Sequence, residues 1–457
     1  MTPAHLTFLV LALMAAGFLS QRVPPYVIGL LGALVLAATG VLPMANLFTG
    51  FANPTLILFA GMFVIGDAIF RTGLANAMGD WAVRRMGHNE RRLLWGTMIV
   101  SAVLSTVASN TATTAALIPL VLSVCIKANL SASRLLMPMA FTSGFGGISA
   151  LIGTPPNMIV SDALRSTGAA PFGFFEFAWV GIPVALAGMA YMDLIGRRLL
   201  PRAPTSAPRA YTENASPPTS SAEMTSVSPV SHTLISPAVS ATPAPRSGSQ
   251  RPEAQRRRMW ICGGILGVVV VVMALNLSWL PLEFLAVTGA LACVLTGCVT
   301  SKEAVDSIEW ETLILFGSMF AVAIAMDKSG ASALIAEGLL RLSGLSRNPY
   351  AVVAGILALN MFLGLFLSNT ACAVLLAPIG LSLAKGIGAN PQPILMAIAV
   401  ASSCSFLSPV STPPNLLVWE PGKYKFMDYI KVGSGLGLVC TVVAVVIIPW
   451  KWPVFPP

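Results

Sequence analysis

Two Ser-Asn-Thr triplets, Ser109-Asn110-Thr111 and Ser368-Asn369-Thr370, each stand about 40 residues ahead of a Thr-Pro-Pro-Asn run, at 154–157 and 412–415. Amide and hydroxyl oxygens are hard ligands that suit a small cation such as Na+. The Asn amide and the Thr hydroxyl are also donors, able to hold a carboxylate or a sulfate. Seven of the fourteen positions from Ser101 to Thr114 are Ser or Thr, Ser105 among them. One such triplet in an apolar helix is ordinarily packing, its hydroxyls bonded back to the helix or across to a neighbour. Two triplets, each with its own Thr-Pro-Pro-Asn at matched spacing, point to a binding site built twice.

The elements that must position these residues lie in a membrane. The chain has 457 residues, of which 55% are hydrophobic and 10% charged, against about 25% charged in a soluble domain. Apolar segments of roughly 17–25 residues recur, each long enough to cross a bilayer. The short alternating strands of a barrel are absent. The expected fold is therefore all-α and polytopic. The net charge of +9 does not argue for nucleic acid, because Lys and Arg cluster at segment ends, where orientation signals belong. The seven cysteines are scattered through apolar stretches without a C-x-x-C and read as small core residues. With three histidines, and no nucleophile–base pair or metal cluster near either motif, an enzyme is discounted. The apolar start, residues 1–20, lacks the positive charge of a secretory signal and is expected to be the first spanning helix.

Spans are expected at 5–21, 26–43 and 53–70, followed by an amphipathic Arg-rich stretch at 74–92. Two apolar halves, 93–108 and 113–126, flank the first triplet; then come 134–150, a break at 151–157, and 177–196. Residues 202–258, rich in Ser, Thr, Pro and Ala, cannot bury enough apolar surface to offset their ordering entropy, so a disordered linker is expected there. Spans resume at 259–278, 282–299 and 310–327. An amphipathic 331–343, two halves around 368–370, a helix at 391–406, a break at 408–415 and a last span at 431–449 complete the chain. Two units, 1–201 and 259–457, thus flank the linker.

The units repeat in sequence. TLILFAGMF at 55–63 matches TLILFGSMF at 312–320, SNTATTAALIPLVLS at 109–123 matches SNTACAVLLAPIGLS at 368–382, and GTPPNMIV at 153–160 matches STPPNLLV at 411–418. The offsets of 257, 259 and 258 are nearly constant, the mark of internal duplication. If each triplet tips a re-entrant hairpin, each unit crosses five times, and an odd number inverts the second unit against the first. With the linker inside, 21 of the 27 Lys and Arg fall on the inner side, and without the six linker arginines the ratio is still 15 to 6. Inverted repeats with interrupted helices are the signature of secondary transporters. A helix broken at membrane depth presents N–H groups that favour an anion and carbonyls that favour a cation, and it is tolerated where it lines a cavity. Two successive prolines suit such a break. Ser105, Ser109, Asn110 and Thr111 are expected to meet Ser368, Asn369 and Thr370 near the midplane. Asp67 lies four residues before Arg71, as a helical ion pair would. The glycines at 433–437 read as close helix packing.

The paired triplets, each followed by Thr-Pro-Pro-Asn, resemble the divalent anion–sodium symporters, the dicarboxylate and sulfate carriers of the ion transporter superfamily. The resemblance covers the whole chain except 202–258. The segments FGFFEFAWVGIP at 172–183 and PGKYKFMDYIKVG at 421–433 resemble bacterial permeases of this group that carry a regulatory domain where this chain has a polar linker. The resemblance implies a first sodium site at Ser105, Ser109, Asn110 and the backbone of Gly153. It implies a second at Asn369 with backbone near Leu367 and Ser411, plus a hydroxyl four residues before Ser368, where this sequence has Gly364. Substrate contacts fall by the same resemblance on Asn110, Thr111, Asn369 and Thr370, with Thr154, Pro155, Thr412 and Pro413 at the breaks. It further implies a homodimer, a mobile domain that carries the site across the membrane like an elevator, and interfacial helices at 74–92 and 331–343.

The expected function is sodium-coupled symport of a divalent anion, a C4-dicarboxylate or sulfate, in the cell's inner (plasma) membrane with a cytoplasmic linker. With no Arg or Lys expected at midplane, the anion's charge must be balanced by helix N-termini and bound cations. The alternatives are a proton-coupled carrier or exchanger using Asp67 or Asp162, and a channel or a metalloid or anion efflux permease of the same superfamily.

Overall fold

A computed structural model describes residues 2–20, 22–86, 89–201, 252–277, 279–332, 334, 348–409 and 411–455. Among them the secondary structure is helical throughout, as expected. Seven helices are long and apolar enough to cross a bilayer, and five shorter apolar helices accompany them. Large apolar side chains point outward, Leu295 at 86% exposure and Trp279 and Trp450 close behind, as a lipid-facing surface requires. Most of the linker and of the arm expected at 331–343 lies outside the described residues. The helix after the linker runs Pro252–Ala274, so 252–258, expected as linker, are helical. Proline at the first position and Glu253 in the first turn favour a start there. The stretch expected over 74–92 divides: Leu74–Met86 ends, and Asn89 caps a new helix, Glu90–Val107, by accepting from Arg91 N at 3.0 Å.

The duplication read from the letters recurs in the local chemistry that starts and stops each helix. Asn348 caps Pro349–Leu363 as Asn89 caps its counterpart. Ser109 and Ser368 cap Asn110–Ala128 and Asn369–Ile387, accepting from Ala112 N and Ala371 N at 3.5 and 3.3 Å. Pro119 and Pro378 fall at the same place inside these two helices, and both end on a left-handed residue, Asn129 and Gly388. The broken helices are Ser133–Ile148 with Pro155–Ser166, and Pro391–Ser403 with Pro413–Trp419.

Packing follows the same exchange. Pro54–Arg71 packs on Leu282–Leu295, and its mate Trp310–Ser329 packs on Pro25–Ala38, the mate of Leu282–Leu295. Asn369–Ile387 lies against Pro155–Ser166, and Asn110–Ala128 against Pro413–Trp419. Each hairpin arm therefore rests on the short stub of the other half, which brings both triplets towards both breaks. Ala178–Tyr191 packs directly on its mate Phe426–Lys451. A Cβ at Gly433 would lie 2.2 Å from the Phe406 carbonyl oxygen and one at Gly435 2.3 Å from Tyr191 Oη, so these glycines serve close packing. All seven cysteines are buried and unpaired. Arg71 pairs with Asp67, as expected, and reaches Glu303 at 3.2 Å. Arg91 grips Asp193, on the π turn Met192–Gly196, through Nε at 2.8 Å.

Candidate functional site

The first break is held open by one amide. Asn157, fully buried, donates through Nδ2 to the carbonyls of Gly147 at 3.0 Å, Ala150 at 2.8 Å and, more weakly, Ile148 at 3.4 Å. These carbonyls belong to the end of Ser133–Ile148 and the turn after it, where the helix can no longer supply donors. Asn415 repeats the device in the second half, donating to Ser405 O at 3.1 Å and Ser408 O at 3.2 Å. There Ser411 adds a hydroxyl to the same two carbonyls, at 3.2 and 2.9 Å. Its counterpart Gly153 has no side chain to do so, and a Cβ there would meet Gly147 O at 2.4 Å.

At both hairpin tips the cap serine spends its acceptors on the third and fourth helical amides. Ser109 takes those of Ala112 and Thr113, and Ser368 those of Ala371 and Cys372. The amides of Asn110, Thr111, Asn369 and Thr370 are left without an intrahelical partner, the arrangement that receives an anion. The broken stubs differ. Two prolines remove the first two N–H groups, and the amides of Asn157 and Asn415 turn back to the Thr154 and Thr412 carbonyls at 3.2 and 3.1 Å. The donors expected at the breaks therefore sit at the hairpin tips instead.

Asn110 and Asn369 converge on one small, partly open pocket, together with Ala140, Phe141, Gly144, Ser403, Ser405, Phe406, Thr412, Pro414 and Asn415. The lining contains no charged side chain. The Ser105 hydroxyl is bonded to Asn110 Oδ1, and Asn369 Oδ1 is buried without a hydrogen-bond partner. Thr154 reaches the rim through its hydroxyl, 3.4 Å from Ser403 Oγ.

Of the residues expected to bind substrate, Asn110, Asn369 and Thr412 line the cavity, and Thr154 touches its wall. Thr111, Thr370 and Pro155 are half-buried beside it, and Pro413 is exposed, its neighbour Pro414 taking the lining position. Of the expected cation ligands, Ser105 and Asn110 are joined, and Gly153 packs on Gly147 beside them. Ser109 turns its hydroxyl towards Glu309, 3.4 Å away. Leu367 and Ser411 are buried next to the second triplet and break. The hydroxyls of Ser403 and Ser405 were not anticipated, although the run Ser402-Ser403-Cys404-Ser405 ending an apolar helix carries the same signal as the stretch before Asn110. Glu309 was also missed, since nothing local marks a residue 200 positions away as a neighbour of Ser109. No cluster of His, Cys, Asp or Glu able to hold a metal ion occurs among the described residues.

Duplicated, interrupted helices around an uncharged polar cavity in an apolar bundle define a multi-pass membrane transporter. The citrate transporter family model matches residues 10–378 and 335–456, and the chain belongs to that family, within the divalent anion–sodium symporter superfamily. It is similar to the uncharacterized transporter YfbS of Escherichia coli, 28% identical with 97% of this chain and 99% of that one covered. It is also similar to the sodium-dependent dicarboxylate transporter SdcS of Staphylococcus saprophyticus, 24% identical over 96% and 84% of the two chains. Among solved structures, the YdaH transporter of Alcanivorax borkumensis shares the fold, with a TM-score of 0.61 at 15% identity and all of both chains covered. So does Neisseria gonorrhoeae MtrF, described with a class of antimetabolite efflux pumps, with a TM-score of 0.57 at 13% identity, covering 100% and 96%.

Proposed function

We propose that this protein is a sodium-coupled symporter of small divalent anions, a C4-dicarboxylate or sulfate. The observation that carries the reading is the meeting of Asn110 and Asn369, from two duplicated hairpins, in one cavity without a charged side chain. A dianion there has only neutral donors and helix N-termini to face. A transient cation partner is then required, because a buried charge without compensation costs several kcal/mol. The name of the SdcS relatives supports sodium and dicarboxylate as the first choices. The two units are inverted repeats, each crossing five times with a re-entrant hairpin. The halves of the site move together across the membrane as an elevator within a homodimer. The chain lies in the inner membrane with residues 202–258 cytoplasmic.

The test is uptake of labelled succinate, sulfate and citrate into proteoliposomes, with and without an inward sodium gradient, using Asn110→Ala as control. Saturable sodium-dependent uptake of one anion, lost in the variant, is the expected result. Uptake that ignores sodium overturns the coupling. One contact favours a second reading, proton coupling: the Glu309 carboxylate accepts from Ser109 Oγ at the tip of the first hairpin. On that reading, Glu309→Gln abolishes the pH dependence of uptake; on the sodium reading, it leaves the sodium dependence in place.

A further inference from the structure

The two halves of the site differ at one point. In the first, Ser105, four residues before the cap Ser109, bonds Asn110 Oδ1 through its hydroxyl. The residue facing Asn110 from the broken helix is Gly147, where a Cβ would come within 2.7 Å of Asn110 Oδ1. In the second half the two residue types are exchanged. Gly364 stands four residues before the cap Ser368, and the counterpart of Gly147 is Ser405. Hydrogen bonding fixes that equivalence independently of the sequence match. Asn157 and Asn415 each donate to the carbonyls ten and seven residues before them, which are Gly147 and Ala150 in one half and Ser405 and Ser408 in the other.

Ser405 Oγ lies 3.0 Å from the point a Cβ at Gly364 would occupy. The hydroxyl carried by the hairpin in the first half is thus delivered to the matching space by the broken helix in the second. Ser405 Oγ donates its proton to the Ser402 carbonyl at 3.2 Å, which leaves its lone pairs free. It lines the same cavity as Asn369, whose Oδ1 is buried and unpartnered. A buried acceptor without a donor is a standing cost. Two neutral oxygens without a carboxylate suit a monovalent hard cation better than a divalent one.

We propose that Ser405 supplies the side-chain oxygen that Gly364 lacks, so that Asn369 Oδ1 and Ser405 Oγ together hold a second alkali cation. The proposal rests on the cation-coupled reading above. It makes the hydroxyl's position in space, rather than in sequence, the quantity that the two halves share.

The experiment uses the purified full chain in detergent, without anion. Thermal unfolding is followed across a sodium chloride series against choline chloride, together with binding of radioactive sodium. Four proteins are compared: the wild type, Ser405→Ala, Asn369→Ala and the reciprocal exchange Gly364→Ser with Ser405→Gly. Ser405→Ala and Asn369→Ala are expected to weaken the sodium response by about tenfold in apparent affinity, or about 1.4 kcal/mol. The exchange is expected to restore the wild-type response, which a loss of packing alone would not do. A wild-type sodium response in Ser405→Ala, or an exchange variant no better than Ser405→Ala, overturns the proposal. If the wild type answers to no alkali cation, the coupled-transport reading falls with it, an outcome distinct from a response that merely ignores Ser405.

Discussion

Replacing Asn157 by Ala tests how the first break is held together, and the structure sets the size of the effect against Asn415→Ala. At Asn157 the substitution takes the donor from Gly147 O and Ile148 O, and leaves Ala150 O with the Gly153 amide at 3.1 Å. Orphaning a buried carbonyl costs about 1–3 kcal/mol. Asn157 is fully buried, so water cannot step in, and only the removal of its own unpartnered Oδ1 offsets the loss. A net destabilisation of about 2–3 kcal/mol follows. At Asn415 the single Ser411 proton remains, shared between the Ser405 and Ser408 carbonyls, and the cost should fall to about 1–2 kcal/mol. The assay is thermal stability of detergent-purified protein by fluorescence-detected size exclusion. Asn157→Ala should melt clearly below Asn415→Ala, and Ser411→Ala combined with Asn415→Ala should close the gap. Equal melting of the two single variants, or the reverse order, refutes the claim that Ser411 covers for Asn415.

Two further substitutions probe the site and its frame. Gly147→Ala would set a Cβ 2.4 Å from Thr154 Cγ2 and 2.7 Å from Asn110 Oδ1. Uptake in proteoliposomes should be lost with the protein still monodisperse, whereas wild-type uptake would mean that the wall yields. Tyr424 inserts its hydroxyl into a helical hydrogen bond, donating to Ser133 O at 2.5 Å and accepting from Met137 N at 2.8 Å. Burial holds its phenol well above the ordinary range, so it stays neutral in this role. Tyr424→Phe should lower thermal stability by about 1–3 kcal/mol, unless the Ser133–Met137 bond closes directly, in which case stability is unchanged.

Much of this architecture was legible because it is written twice. The offset near 258 joined three short matches in the letters, and the same offset pairs Asn89 with Asn348, Asn157 with Asn415 and the ends at Asn129 and Gly388. Caps and proline breaks are local chemistry, so a single chain suffices to read them. How many free amides the breaks offer is set by two features: two prolines remove the first N–H groups, and the amides of Asn157 and Asn415 turn back on the Thr154 and Thr412 carbonyls, a turn that the letters do not report. Beyond the meeting of the two triplets, which places Asn110 and Asn369 on one pocket, individual contacts between the halves are not legible in the letters. Tyr424 with Ser133 and Glu309 with Ser109 are set by the way the helices pack, and no periodicity reports it.

The asymmetry between the halves bears on how coupling would work. A duplicated site that had stayed identical would hold two cations alike and give neither hairpin a distinct task. Here Asn110 Oδ1 already accepts from Ser105, while Asn369 Oδ1 has no partner. A cation entering the first half must displace a hydrogen bond, and one entering the second relieves an unpaired oxygen. The second half should therefore fill first. Its filling adds positive charge beside a cavity whose lining has none, and so favours the dianion. On this argument, anion affinity should rise with sodium along a curve set mainly by Asn369 and Ser405, and Ser105→Ala should weaken the first-half cation, because a Ser105 hydroxyl that turns from Asn110 Oδ1 offers the ion the oxygen that Ser405 offers in the second half. Titration of sodium binding in Ser105→Ala decides the point: an unchanged or tighter response would mean that the Ser105 hydroxyl competes with the ion for Asn110 Oδ1, and the parallel with Ser405 would fall.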